Sequence, residues 1–185
     1  MVSESKILGQ SSLIFLTLGS THFPFNRLLS SVDRALSKLY KPYRLIVQDP
    51  VSKYRWRHKN ILKIRDLSPD QIIEYFKKAE KIITHGGFGT IFEIAKYSRN
   101  MPLVVARSSH FQEQVDDHQI FFIEFLRAKL PKSVHNYLLY NSSDLDEKIE
   151  LYLSRPAKKN LLKKVLIEKR QNKLLITNLK EYLNS

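Results

Sequence analysis

The chain predicts an α/β domain, a Rossmann-like parallel sheet with helices on both faces, and three observations point to it. Short apolar runs such as residues 13–18 and 103–105 are too brief for helices and lack polar alternation, as strands covered on both faces do. Between them lie segments whose apolar residues recur at helical spacing. Three of the five glycines, Gly86, Gly87 and Gly89, crowd into one turn directly after the apolar pair Ile82-Ile83.

Taken in order, residues 13–18 form a strand ending at Gly19, followed by a loop over 19–24. Phe25, Leu28, Leu29, Val32, Leu36 and Leu39 mark a helix over 25–39, and residues 43–47 a second strand. Residues 50–60 read as a surface segment and 61–64 as a short strand. Ser68-Pro69-Asp70 opens the next helix, with an N-cap, a first-position proline and an acid in the first turn. A strand ends at Ile83, and Phe88, Ile91, Phe92, Ile94 and Ala95 place a helix from about Gly89. Then come a strand at 103–105, a long helix over 112–128, a short strand near 134–139 and a helix capped within Asn141-Ser142-Ser143-Asp144. Strand–helix alternation of this kind puts ligands outside the carboxyl ends of the strands.

The glycine turn carries the chemistry. The first amides of a helix have no internal partner and sit at the positive end of its dipole, so an anion is their natural ligand. Glycines let a phosphate come close and let the backbone turn through positive φ. Gly86, Gly87, Phe88, Gly89 and Thr90 therefore read as a diphosphate site. Glu93, one turn deeper, can accept hydrogen bonds from two ribose hydroxyls. The spacing is not the dinucleotide fingerprint, and no Lys follows the last glycine as a P-loop requires.

Composition bounds the rest. Apolar residues make up 43% of 185, enough for one sizeable core. There is no cysteine, hence no disulfide or thiolate metal site, as a reducing cytoplasm permits. The six histidines are scattered without metal-site spacing, and no metal or cofactor is expected. No run approaches a membrane span. Lys and Arg number 31 against 18 Asp and Glu, a formal charge of +13 that favours anionic surfaces. Residues 155–185 hold nine basic residues against two acidic, with leucines in a helical stripe, and read as a basic amphipathic helix. The expected organisation is a polar extension over 1–12, a nucleotide-binding domain over 13–154 and a basic helical extension over 155–185.

The order of motifs resembles a known family. His85-Gly86-Gly87-Phe88-Gly89-Thr90-Ile91-Phe92-Glu93, then Met101-Pro102-Leu103-Val104-Val105-Ala106-Arg107, then Val115-Asp116-Asp117-His118-Gln119 is similar to the C-terminal, donor-binding domain of glycosyltransferase family 28. The opening from Phe15 to Leu28 resembles its stand-alone members; Ala106 stands where proline is frequent. The resemblance, over roughly residues 13–128, implies one half of a GT-B glycosyltransferase that transfers a sugar from a UDP-sugar with inversion and without a metal. It implies that Gly19, Ser20 and Thr21 join the diphosphate site, that Ile64 and Arg65 face uracil through their backbone, and that Arg107, Asp116 and Gln119 contact the donor sugar.

The other half is then expected from a membrane-associated, acceptor-binding subunit, which also brings the catalytic base, as in two-component enzymes of exopolysaccharide, capsule and dolichol-linked oligosaccharide synthesis. His85 is expected to order the glycine turn instead of acting as that base. The implied acceptor is a polyprenyl-diphosphate-linked saccharide, and the implied location is the cytoplasmic face of the membrane, where basic segments meet anionic lipid. Nucleic acid is the rival partner for the charge, but no nucleic-acid module is present. A sugar-nucleotide 2-epimerase shares the architecture but needs a second domain and acid–base groups not visible here. The alternative function is a non-catalytic helper that enhances a membrane-bound glycosyltransferase.

Overall fold

The computed structural model describes residues 11–140 and 143–167. Six parallel strands form one sheet: β1 (Ser12–Thr17), β2 (Tyr43–Gln48), β3 (Ile61–Ile64), β4 (Lys81–His85), β5 (Leu103–Val105) and β6 (Leu138–Leu139), in the order β3-β2-β1-β4-β5-β6. Six α-helices flank it: α1 (Asn26–Leu36), α2 (Pro69–Lys78), α3 (Phe88–Tyr97), α4 (His118–Lys129), α5 (Leu145–Ser154) and α6 (Leu162–Leu166). The predicted fold class is the observed one.

The apolar strands divide their side chains between two cores because successive residues point to opposite faces. Phe15, Ile46, Ile82 and Val104 pack with α2, α3, α4 and α6. Ile14, Leu16, Leu45, Val47, Ile83, Leu103 and Val105 pack with α1 and α5. Each fully buried Leu, Ile or Phe contributes about 1.5–3 kcal/mol. Strand order reverses between β1 and β4, which are paired in register from Ile14↔Lys81 to Thr17↔Thr84. A crevice must open at their carboxyl ends, where the following chains diverge to opposite faces.

Local signals behave as read at α2. The Ser68 side chain accepts from the Gln71 amide, the Gln71 side chain accepts from the Ser68 amide, and Pro69 takes the first turn. Segment 50–60 is fastened by Asp33 of α1, fully buried, which accepts from the Tyr54 hydroxyl at 3.0 Å and from the Arg57 Nε at 3.0 Å.

Three expectations are corrected. The helix expected over 112–128 begins only at His118, because residues 108–117 are held in a polar turn. Gln112 there adopts φ 55°, and the Asp117 carboxylate accepts from the Ser109 amide at 2.8 Å and the Ser108 hydroxyl at 3.2 Å. Near 134–139 only Leu138–Leu139 is strand, since Lys132–Tyr137 winds as a 3₁₀ helix. Residues 155–161 are not helical. Their path across the sheet's lower edge is fixed by Met101 N–H donating to the Lys158 carbonyl, and by Asn160, whose side-chain amide donates to the Ile94 and Ser98 carbonyls at the end of α3. Leu162, Val165 and Leu166 then enter the core beside α3, so the core continues past residue 154. Residues 168–185, most of the expected amphipathic helix, lie outside the described residues, as do residues 1–10 of the expected N-terminal extension.

Candidate functional site

A cavity of about 530 Å³ occupies the crevice at the β1/β4 switch point. Gly19, Ser20 and Thr17 line it from β1 and its loop, and Gly89, Thr90 and Glu93 from α3. Leu67, Pro69, Ile72, Ile73 and Phe76 form an apolar wall, with Gln48, Pro50 and Asp66 at its edge.

The two lips are shaped by one buried imidazole. Gly19 adopts φ 74°, and a Cβ there would lie 2.7 Å from the His85 ring; a Cβ on Gly87 would lie 2.3 Å from His85 Nε2. Both glycines are therefore needed to seat His85 between the β1 and β4 loops. Burial and the neighbouring Arg107 cation push the His85 pKa down to about 3, so the ring is neutral at physiological pH. It packs the turn, in keeping with the expectation that it orders the glycines. Gln48 completes this lip: its side chain accepts from the Thr17 hydroxyl at 2.7 Å and donates to the Gly19 carbonyl at 3.2 Å.

Beyond His85 the turn changes character. Gly87 stands at the N-cap of α3 with no side-chain cap, so the amides of the first turn are left for another partner. A Cβ on Gly89 would meet nothing within 4 Å. No described residue forbids a side chain at Gly89, which lines the cavity. Phe88 points away, 41% exposed and stacked on Phe92 with centroids 5.9 Å apart. Gly86 is buried, and its amide is already engaged, donating to Gln119 Oε1 at 2.9 Å.

Gln119 and Arg107, expected at the donor sugar, are placed inside the fold. Gln119 is 3% exposed, and its Oε1 also accepts from the Arg107 amide at 3.1 Å, so it clamps the β4 and β5 loops together. Arg107 is 1% exposed. Its guanidinium donates to the carbonyls of Leu18, Phe23, Pro24 and Glu113 and lies over the Phe25 ring. Burial pushes its pKa down to about 10, which leaves it charged at neutral pH. Asp116 is exposed, hydrogen-bonded to His118 Nδ1, and does not line the cavity.

Of the other expected residues, Thr21 turns toward Gln114, its hydroxyl 3.5 Å from the amide oxygen. Ile64 spends its carbonyl on the Asp49 amide at 3.0 Å, and Arg65 is exposed beside Asp66; the cavity is lined by the next two residues, Asp66 and Leu67. Sequence reasoning missed Gln48, readable only as the polar residue closing an apolar strand. It also missed the ion pair that braces the β5 loop, in which Arg27 donates from Nε and Nη2 to the nearly buried Glu113 carboxylate at 2.9 and 2.8 Å. Among the described residues no group of three His, Asp or Glu side chains could hold a metal ion, and no helix is long and apolar enough to cross a membrane.

A Rossmann-ordered parallel sheet with an open helix N-terminus at its switch point is the architecture of one half of a GT-B glycosyltransferase. The chain matches the glycosyltransferase family 28 C-terminal domain over residues 13–173, most of its length, and belongs to that family. No curated protein matches it. Among solved structures it is similar to MurG of Acinetobacter baumannii, at 16% identity and a TM-score of 0.47, over 78% of this chain and 47% of that one. It is also similar to UGT89C1 of Arabidopsis thaliana, solved with UDP-L-rhamnose, at 18% identity and a TM-score of 0.49, over 94% of this chain and 43% of that one. A putative UDP-N-acetylglucosamine 2-epimerase of Listeria monocytogenes is similar at 12% identity and a TM-score of 0.40, over 90% of this chain and 46% of that one. The chain thus spans about half the length of the structures it matches.

Proposed function

We propose that this chain is the donor-binding subunit of a two-component inverting glycosyltransferase. It would hold a UDP-sugar for transfer to a polyprenyl-diphosphate-linked saccharide presented by a membrane-associated partner in surface polysaccharide synthesis. The observation that carries the reading is the lining of the cavity. One cavity is lined by the uncapped first turn of α3 at Gly89 and Thr90, by Glu93, and by the apolar Leu67, Pro69 and Ile72. Diphosphate, ribose and uracil need those three environments.

In this reading the acceptor hydroxyl attacks the anomeric carbon from the face opposite the diphosphate, and the carbon–oxygen bond to UDP breaks as the new glycosidic bond forms. The departing diphosphate gathers negative charge, and the α3 amides and dipole stabilise it. The proton leaves with a base on the partner, since His85 is buried and neutral here. The chain's strong positive charge supports a site at the cytoplasmic face of an anionic membrane, reached through the partner.

Calorimetric titration of UDP and a panel of UDP-sugars tests the reading. UDP is expected to bind, and Glu93→Ala to weaken binding by about 1.5–3 kcal/mol, the worth of a charge-assisted hydrogen bond. Absence of UDP binding both by the chain alone and with its co-expressed partner would sink the donor-site reading and leave a non-catalytic helper.

A further inference from the structure

At the amino ends of β1 and β4, across the sheet from the donor cavity, lies a second cavity of about 190 Å³. Five- and six-residue strands put it about 15–20 Å from the first. Lys41, Lys81 and Arg155 line it, together with Ser12 and the single acid Glu80. Lys81 is the unusual member, being 3% exposed. Its ammonium donates to the Arg155 carbonyl at 2.5 Å and lies 4.9 Å from the centroid of the Tyr152 ring.

Only that one acceptor meets the three N–H donors of the Lys81 ammonium among the described residues. None of Lys41, Lys81 and Arg155 has a carboxylate of those residues within ion-pair distance. Glu80 is engaged instead by the Ser12 hydroxyl at 2.6 Å. A buried cation left in this state is costly unless an anion completes it. Burial pushes the Lys81 pKa down, Glu80 opposes the shift and Lys41 adds to it, so the cations feel one another across the cavity.

We infer that this lower cavity is a second anion site, binding a phosphate-class oxyanion between Lys41, Lys81 and Arg155. The site is separate from the donor cavity and does not depend on the donor-site reading. The same chemistry suits free phosphate and a lipid phosphate headgroup.

Inorganic phosphate titrated into the full chain by calorimetry tests it. Lys41→Ala combined with Arg155→Ala alters two exposed side chains, and is expected to weaken phosphate binding at least tenfold while UDP binding is unchanged. Glu80→Gln is expected to tighten phosphate binding, which a merely structural role would not do. Co-sedimentation with phosphatidylglycerol and with phosphatidylcholine vesicles separates the sources. Retention on phosphatidylglycerol alone, lost in the double variant, assigns a headgroup; phosphate binding without retention assigns free phosphate. Phosphate affinity and retention indifferent to both sets of substitutions, or absent in the unsubstituted chain, overturn the site.

Discussion

Gly87 and Gly89 stand two residues apart in one turn, and the fold constrains them differently. A side chain at Gly87 would strike the buried His85 ring, although the backbone there, at φ −67°, suits any residue. A side chain at Gly89 would strike nothing. The fold requires the first glycine, and no described contact requires the second. The same division separates the whole carboxyl edge of the sheet into a locked half, from His85 through Arg107 to Gln119, and an open half, from Gly89 to Glu93 and the apolar wall. A glycine-rich turn is thus not one object, and its residues can be sorted by asking what a Cβ would meet.

The largest expected effect lies in the locked half. Arg107→Met removes a cation that four carbonyls share and should destabilise the domain by about 3–5 kcal/mol, measured by urea denaturation. A cost below about 1 kcal/mol would mean that Arg107 is free to face the cavity, as the sequence suggested.

Acid probes the same half through His85. Its folded pKa of about 3 lies below the ordinary 6.5, so between those values the unfolded chain binds a proton that the folded chain refuses. The stabilisation is complete above pH 6.5 and declines on acidification, by up to about 1.4 kcal/mol per pH unit. Stability curves at pH 6.5 and 4.5 should differ less for His85→Asn than for the unsubstituted chain. Equal slopes would show that the ring is not held neutral.

Gly87→Ala should cost about 1–3 kcal/mol by overpacking against the ring, and less in a His85→Ala background, because the two positions are coupled. Gly89→Ala is the sharpest contrast and the smallest effect. Alanine is the better helix former, so thermal stability should hold or rise by up to about 1 kcal/mol. UDP affinity should fall about tenfold, or 1.4 kcal/mol, as the methyl group occupies the approach to the amides. If both glycine variants lose stability and binding together, the division of the turn fails.

Much of this molecule was legible in local pattern. Continuous apolar strands announced a sheet covered on both faces, Ser68-Pro69 announced the start of α2, and the glycines after Ile83 announced an uncapped helix at a strand end. Each rests on interactions within a few residues, which sequence spacing records directly. The 108–117 turn was not legible, because its conformation depends on Glu113 reaching Arg27 and on Arg107 reaching Leu18, partners distant in the chain.

Sequence by itself determined the strand–helix alternation, the place of the glycine turn and Glu93 one helical turn beyond it. Only the tertiary structure decided which polar residues face the cavity and which hold it together. Arg107, Gln119 and His85 have the chemistry of ligand contacts, yet crossing loops bury them, and a buried polar group must spend its hydrogen bonds on the fold. Gly89 and Glu93 line the cavity because, among the described residues, no segment covers this end of α3.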